Sequence, residues 1–311
     1  PDLLAKPSPI PAFMLPKRLA DTPAGEQITD MVGSGPFRFA ADEFQPGVRA
    51  VYEKFEDYVP REEPASGNAG GKVVNFDRVI WEVMPDIQTA INALQAGDVD
   101  YLETLPTDLV PLVEMAENVD YGVIKPVGSQ VTGQFNHLIP PFDNPEVRRA
   151  AMYALDQEQI LMTAIGNPEY YSMCASIYGC TVPLASDAGS DYLQGTADER
   201  MAKAKDILAA SGYDGTPVVM LQPTDLAILQ TPPIVAAELL RKAGFTVEVE
   251  SMDWATLSSR RTSQAPAAEG GWNMFFTYWG VEGIWNPLAS VLIDGTGEPG
   301  AWSGWRKSDE V

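Results

Sequence analysis

The chain has 311 residues, 45% of them hydrophobic, 9% aromatic and 21% charged, and its 43 acidic against 21 basic side chains give a net charge of −22. Such a composition belongs to a folded globular protein with room for a sizeable core and about two domains, and it excludes the disordered and collagen-like classes. The acidic balance repels polyphosphate backbones, which sets nucleic acid aside as a partner, and no stretch approaches the roughly 20 apolar residues of a membrane helix.

The start, "PDLLAKPSPIPAF", has neither the basic region nor the apolar run of a leader. "RAVYEKFEDYV" (49–59) and "FDRVIWEVMP" (76–85) predict strands, joined by the surface loop "PREEPASGNAGGK". Asp86 caps a helix whose Ile87, Ala90, Ile91 and Leu94 form an apolar stripe ended by Gly97. "DVDYLE" (98–103) then reads as the next strand, and a further helix starts at Thr107 and covers 109–115.

In "PPFDNPEVRRAAMYALDQEQI" (140–160) a helix start is specified three times over: Asn144 caps it, Pro145 suits its first position and Glu146 complements its positive end. Val147, Ala150, Ala151, Ala154 and Leu155 make one apolar face. Asp156 with Gln159 forms a second capping signal, so the helix breaks and restarts toward Met162. Beyond it lie the only cysteines, Cys174 and Cys180, in the irregular "MCASIYGCTVP". A disulfide-closed loop is the first reading, two buried thiols the second and half of a metal site the last; a disulfide favours an oxidising compartment.

From Thr196 onward the pattern alternates: helix "ADERMAKAKDILAASG", strand "PVVML", helix "PPIVAAELLRKAG", strand "FTVEVESM", helix "WATLSSRRT" and strand "WNMFFTYWG". Alternation of this length predicts an α/β class with a mostly parallel sheet covered on both faces.

Motifs for chemistry are sparse. "GNAGGK" fails as a phosphate loop, since Ser66 stands where the first glycine belongs and Val73 follows Lys72. His137 is the sole histidine, so a multi-histidine metal site is excluded and a structural role is expected. No serine sits in a Gly-x-Ser-x-Gly elbow, and no pair among the acids is marked for acid–base work. The informative cluster is "FFTYWGVEGIWNP", where Tyr278, Trp279 and Trp285 surround Glu282 in a break after a strand. Ligands bind beyond the carboxyl ends of strands in such sheets, and aromatics around one carboxylate suit an organic ammonium; core packing of the tryptophans is the rival reading.

Taken in order, "GSGPFRF" (33–39), "FDRVIWEVMPD", "ALQAGDVDYLE", "FNHLIPPFDNPEVRRAAMYALDQEQI", "DERMAKAKDILAASGYDG", "LLRKAGFTVEVESMDWATL", "YWGVEGIWNP" and "SGW" (303–305) resemble the family 5 extracellular solute-binding proteins, the peptide, oligopeptide and nickel class that serves ABC importers. The resemblance implies a periplasmic-binding-protein type II-like fold, two lobes with mixed sheets closing over a solute. Residues 1–135 would be part of the first lobe with elements of an extra subdomain, and 136–311 the second lobe, incomplete at its C-terminal end. By the same token the chain is expected to be a fragment lacking N- and C-terminal parts of the first lobe.

The resemblance further implies a binding protein without catalysis, cofactor or metal. Glu282 stands where relatives hold the ligand's α-ammonium with an acidic residue, Trp279, Tyr278 and Trp285 would wall the site, and Asn136 would join them from the end of the crossing strand "GQFNHL". Trp285, Asn286 and Pro287 replace the usual Asp-Pro end of that loop, which leaves opines, sugars or metal chelates beside peptides as solutes. The expected partners are the solute and an ABC permease and ATPase complex at the inner membrane, met by a periplasmic monomer. The alternatives from other classes are a secreted hydrolase using two carboxylates and a solute-loaded sensor.

Overall fold

The computed structural model describes residues 14–23, 26–66, 69–124, 126–287, 290–297 and 302–308; the opening 1–13 and the loop tip 67–68 lie outside the described residues. The chain divides into two compact units, one formed by the described residues of 10–105 with 116–119, the other by those of 106–115 and 120–311.

The first unit holds α1 (Lys17–Ala20), β1 (Phe37–Phe39), β2 (Arg49–Lys54), β3 (Arg78–Glu82) and α2 (Ile87–Ala96). Its strands form an antiparallel sheet in the order β1-β2-β3, with the fully buried Val51 on the central strand opposite Ile80. α2 is capped as its sequence dictates. The Asp86 carboxylate accepts from the Thr89 amide at 2.7 Å, Gly97 takes the left-handed conformation at φ 79°, and Ala90 and Ile91 are the buried residues. "DVDYLE" forms no strand. A strand exists only through its pairing, and no described strand pairs with 98–103, so the pattern stays an irregular segment with Tyr101 exposed.

The second unit runs α3 (Val110–Glu114), β4 (Ser129–Phe135), α4 (Pro145–Ala154), α5 (Gln157–Ile165), α6 (Ala197–Ala210), β5 (Val218–Pro223), α7 (Ala227–Gln230), α8 (Pro232–Ala243), β6 (Val247–Met252), α9 (Trp254–Arg260) and β7 (Met274–Gly280). Its sheet has the order β4-β7-β5-β6 and is mixed: β5 pairs in parallel with both β6 and β7, while β4 runs antiparallel to β7 from Ser129 opposite Gly280 to Phe135 opposite Met274. The alternating half of the chain thus supplies the parallel part, and β4, which enters from before that alternation, reverses direction.

The heavy capping of α4 and α5 serves their attachment to α6. Asn144 accepts from the Glu146 amide at 2.9 Å and donates through Nδ2 to the Ser211 carbonyl at the far end of α6 at 3.0 Å. Asp156 accepts from the Gln159 amide at 2.8 Å and pairs with Arg200 near the start of α6, both side chains largely buried. One pair of capping residues therefore starts the helices and fixes them across α6. The α4 face carries Val147, Ala150, Ala151 and Ala154 into a core with Phe142, Leu208, Met220, Leu240, Met274 and Phe276. Tyr153 joins the buried set, and Leu155 packs against it partly buried.

A smaller cluster covers the opposite face of the sheet, with Val219, Leu221, Leu257, Trp272, Phe275 and Trp305. Among the described residues no helix is long and apolar enough to cross a membrane.

Candidate functional site at the carboxyl end of the sheet

β5, β6 and β7 all end at one edge of the sheet, and there β7 passes into a single 3-10 turn, Val281–Gly283. Crevices outside the carboxyl ends of parallel strands are where α/β sheets bind ligands. Glu282 stands in that turn, half-buried, with its carboxylate folded over Gly280: a Cβ on Gly280 would lie 2.8 Å from both carboxylate oxygens. Glycine at 280 is what lets the acid lie against its own backbone.

Trp279 is 9% exposed and stacks edge-on against Trp302 at 5.0 Å between ring centroids. Ile284 and Leu292 complete the apolar cluster around it. Arg261, half-buried at the end of α9, places its guanidinium 4.6 Å from the Trp302 ring centroid, 5.6 Å from Trp254 and 5.9 Å from Phe275. Burial pulls its pKa below the ordinary arginine value, and among the described residues no carboxylate reaches it. The indole N–H groups of Trp279 and Trp302 are buried without an acceptor among the described residues, as are those of Trp272, just before β7, and Trp305, in the turn after Trp302. An acid, stacked indoles and an uncompensated cation together offer contacts for an ammonium, an apolar group and an acceptor-rich anion.

The expected site residues do not all converge. Successive side chains of a strand point to opposite faces, so Tyr278, 40% exposed, leaves β7 on the face away from Trp279. Trp285 is half-buried just past the turn. Asn136 follows Phe135 at the other end of the β4–β7 pair, a strand length of about 20 Å from the turn that holds Glu282. Fully buried, Asn136 donates through Nδ2 to the Trp272 carbonyl at 2.9 Å, and its Oδ1 accepts from the Leu138 amide at 3.0 Å. Beside it the Asn273 side chain accepts from the Val219 amide and donates to the Pro140 carbonyl. These asparagines satisfy backbone groups where strands meet, a structural task.

Arg261 and Trp302 are the residues that reading the sequence misses. A signal for Arg261 exists: Trp254, Leu257 and Arg261 fall at i, i+3 and i+7, so a charge occupies the buried stripe of α9. His137 is drawn down to about 3, first by burial and then by the charges of Arg148 and Arg306, and is neutral where the chain works. Cys174 and Cys180 are bonded, with S–S 2.10 Å and Cα–Cα 5.6 Å.

This mixed α/β architecture is that of the periplasmic solute-binding proteins. The chain belongs to the bacterial extracellular solute-binding proteins, family 5, whose middle region it matches over residues 1–298. It is 37% identical over 312 residues to the probable peptide ABC transporter periplasmic-binding protein y4tO of Sinorhizobium fredii, an alignment covering 100% of this chain and 58% of that protein. The structure of AgaA from A. tumefaciens in complex with agropinic acid superposes with a TM-score of 0.66 at 24% identity, covering 94% of this chain and 55% of that one. DppA from Helicobacter pylori in complex with the peptide STSA superposes with a TM-score of 0.65 at 20% identity, covering 89% and 50%. The chain thus spans about half the length of the relatives it matches.

Proposed function

We propose that the chain is the solute-recognising part of the substrate-binding protein of an ABC importer, and that it takes up a zwitterionic solute, a short peptide or a related amine-bearing acid. The observation that carries this reading is Glu282 at the end of β7 beside a buried Trp279–Trp302 stack, with Arg261, which meets no carboxylate among the described residues, 4.6 Å from the Trp302 ring centroid. Glu282 holds the ammonium, the indoles line the apolar span, and Arg261 takes the carboxylate. Recognition proceeds without bond making. The bound solute shifts an equilibrium between open and closed forms, which a permease and ATPase complex at the inner membrane reads from the periplasmic side. The name of the Sinorhizobium relative supports the transporter assignment and the peptide as first solute.

Isothermal titration of the protein with tetra-alanine, its N-acetylated form and its C-amidated form tests this. Acetylation and Glu282→Gln each weaken binding about tenfold and do not add, because both remove the same ion pair. Binding indifferent to acetylation overturns the ammonium anchor. No binding of tetra-alanine, with binding of an opine, retains the class and replaces the solute.

A further inference from the structure

The disulfide-closed loop touches the site at two points. Gly179, with φ +90°, lies so close to the 3-10 turn that any Cβ on it would stand 2.7 Å from Cγ1 of Val281, the neighbour of Glu282. Gln130 donates through Nε2 to the Ser176 carbonyl inside the loop at 2.8 Å. Gln130 is the cross-strand partner of Trp279, so its side chain emerges on the Trp279 face of the sheet. Its Oε1 is buried and has no donor among the described residues.

The loop is itself held from behind. The Gln157 side chain clips Cys174 from both sides, donating to its carbonyl at 2.9 Å and accepting from its amide at 3.1 Å. Thr181 donates to the Val127 carbonyl, next to Gly128, whose carbonyl accepts from the Val281 amide. The ring closed by Cys174 and Cys180 is thus wedged between α5 and the turn that carries Glu282.

We propose that this loop is a positioning element of the ligand site: it sets the Glu282 turn and orients Gln130, whose Oε1 accepts an N–H of the solute beside Trp279. A buried amide oxygen left without a donor is costly to the folded chain, and an N–H from a peptide or an amine-bearing acid removes that cost. Gln130 becomes a selectivity residue, favouring solutes with a donor at that point. The inference rests on the reading of the Trp279–Glu282 region as the solute site.

Two variants test it, each by hydrogen exchange of the free protein and by titration with tetra-alanine. In Cys174→Ser/Cys180→Ser the amides of Val281, bonded to the Gly128 carbonyl, and Ile284, bonded to the Val281 carbonyl, exchange about fivefold faster while those of α8 stay unchanged. In Gln130→Leu, which keeps the disulfide, tetra-alanine binds about tenfold more weakly. Faster exchange confined to 171–181, or spread evenly over the sheet, overturns the positioning role, and unchanged affinity of Gln130→Leu overturns the contact. If tetra-alanine fails to bind the parent, the peptide reading falls, and the exchange at Val281 and Ile284 still decides whether the loop holds the turn.

Discussion

The two faces of β7 differ in kind. Met274 and Phe276 enter a core of hydrocarbon side chains from α4, α6 and α8, whereas Phe275 and Trp279 face Trp272, Trp302, Trp305 and Arg261. On the second face four indole N–H groups have no acceptor among the described residues, and a guanidinium has no carboxylate. A buried donor without a partner costs about 1–3 kcal/mol, so folding alone gives no reason to collect them on one face. One face of the strand packs on hydrocarbon alone, and the other buries unpaired indole and guanidinium donors within its core.

The sharpest way to break this contrast is to cut into each face in turn. Phe276→Ala, on the hydrocarbon face, is expected to lower unfolding free energy by about 3–5 kcal/mol in urea titrations, with tetra-alanine affinity of the folded protein unchanged. A collapse of affinity at modest loss of stability would show that the faces are not separate. Asn273→Ala comes next, at roughly 2 kcal/mol, because it strands the Val219 amide and the Pro140 carbonyl; it too leaves affinity alone. Arg261→Met reverses the pattern. Removing a half-buried cation that meets no carboxylate among the described residues raises stability by up to about 1 kcal/mol, while tetra-alanine binding weakens about tenfold and the C-amidated peptide is unaffected. A fall in stability with unchanged binding would return Arg261 to the core.

How far these roles are legible in the sequence depends on the range of the interaction. Asn144, Asp156, Thr196 and Asp253 act within three residues, and the helices they cap start where the sequence places them. Gly97 and Gly244 stop α2 and α8 in the same local way. By contrast "MFFTYWG" is almost all apolar, so no alternation reveals which residue faces which layer, and Tyr278 and Trp279 look like neighbours in one site. Only pairing with β4 and β5 separates them. Asn136 misleads for the same reason: its carboxamide is committed to a carbonyl 136 residues away in sequence, which no local pattern announces. "DVDYLE" has strand composition and lacks only a partner. Glu282 is readable as the acid of the strand-end turn, while Arg261 reaches the Trp302 ring from the end of α9, far away in sequence.

A pH-dependent effect concerns what anchors the aromatic face. The His137 amide donates to the Gly304 carbonyl, in the turn that carries Trp302 and Trp305, and the imidazole lies among the charges of Arg148 and Arg306. Its pKa of about 3 in the folded chain lies below the unfolded value of 6.5, so the unfolded chain binds the proton first. Stability is therefore full above 6.5 and declines as pH falls from there toward 3. Over the upper part of that window the carboxylates Asp86, Glu199, Asp214 and Asp253, held below their usual range by bonds to Thr89, Thr196, Thr216 and Thr256, remain ionised. A urea midpoint that drops between about pH 7.5 and 5.5 in the parent and stays level in His137→Gln identifies the histidine as the cause. Equal drops in both would place the sensitivity elsewhere. Since protonation adds a third positive charge beside the two arginines, tryptophan fluorescence should shift over the same pH range if the 302–305 turn loosens with it.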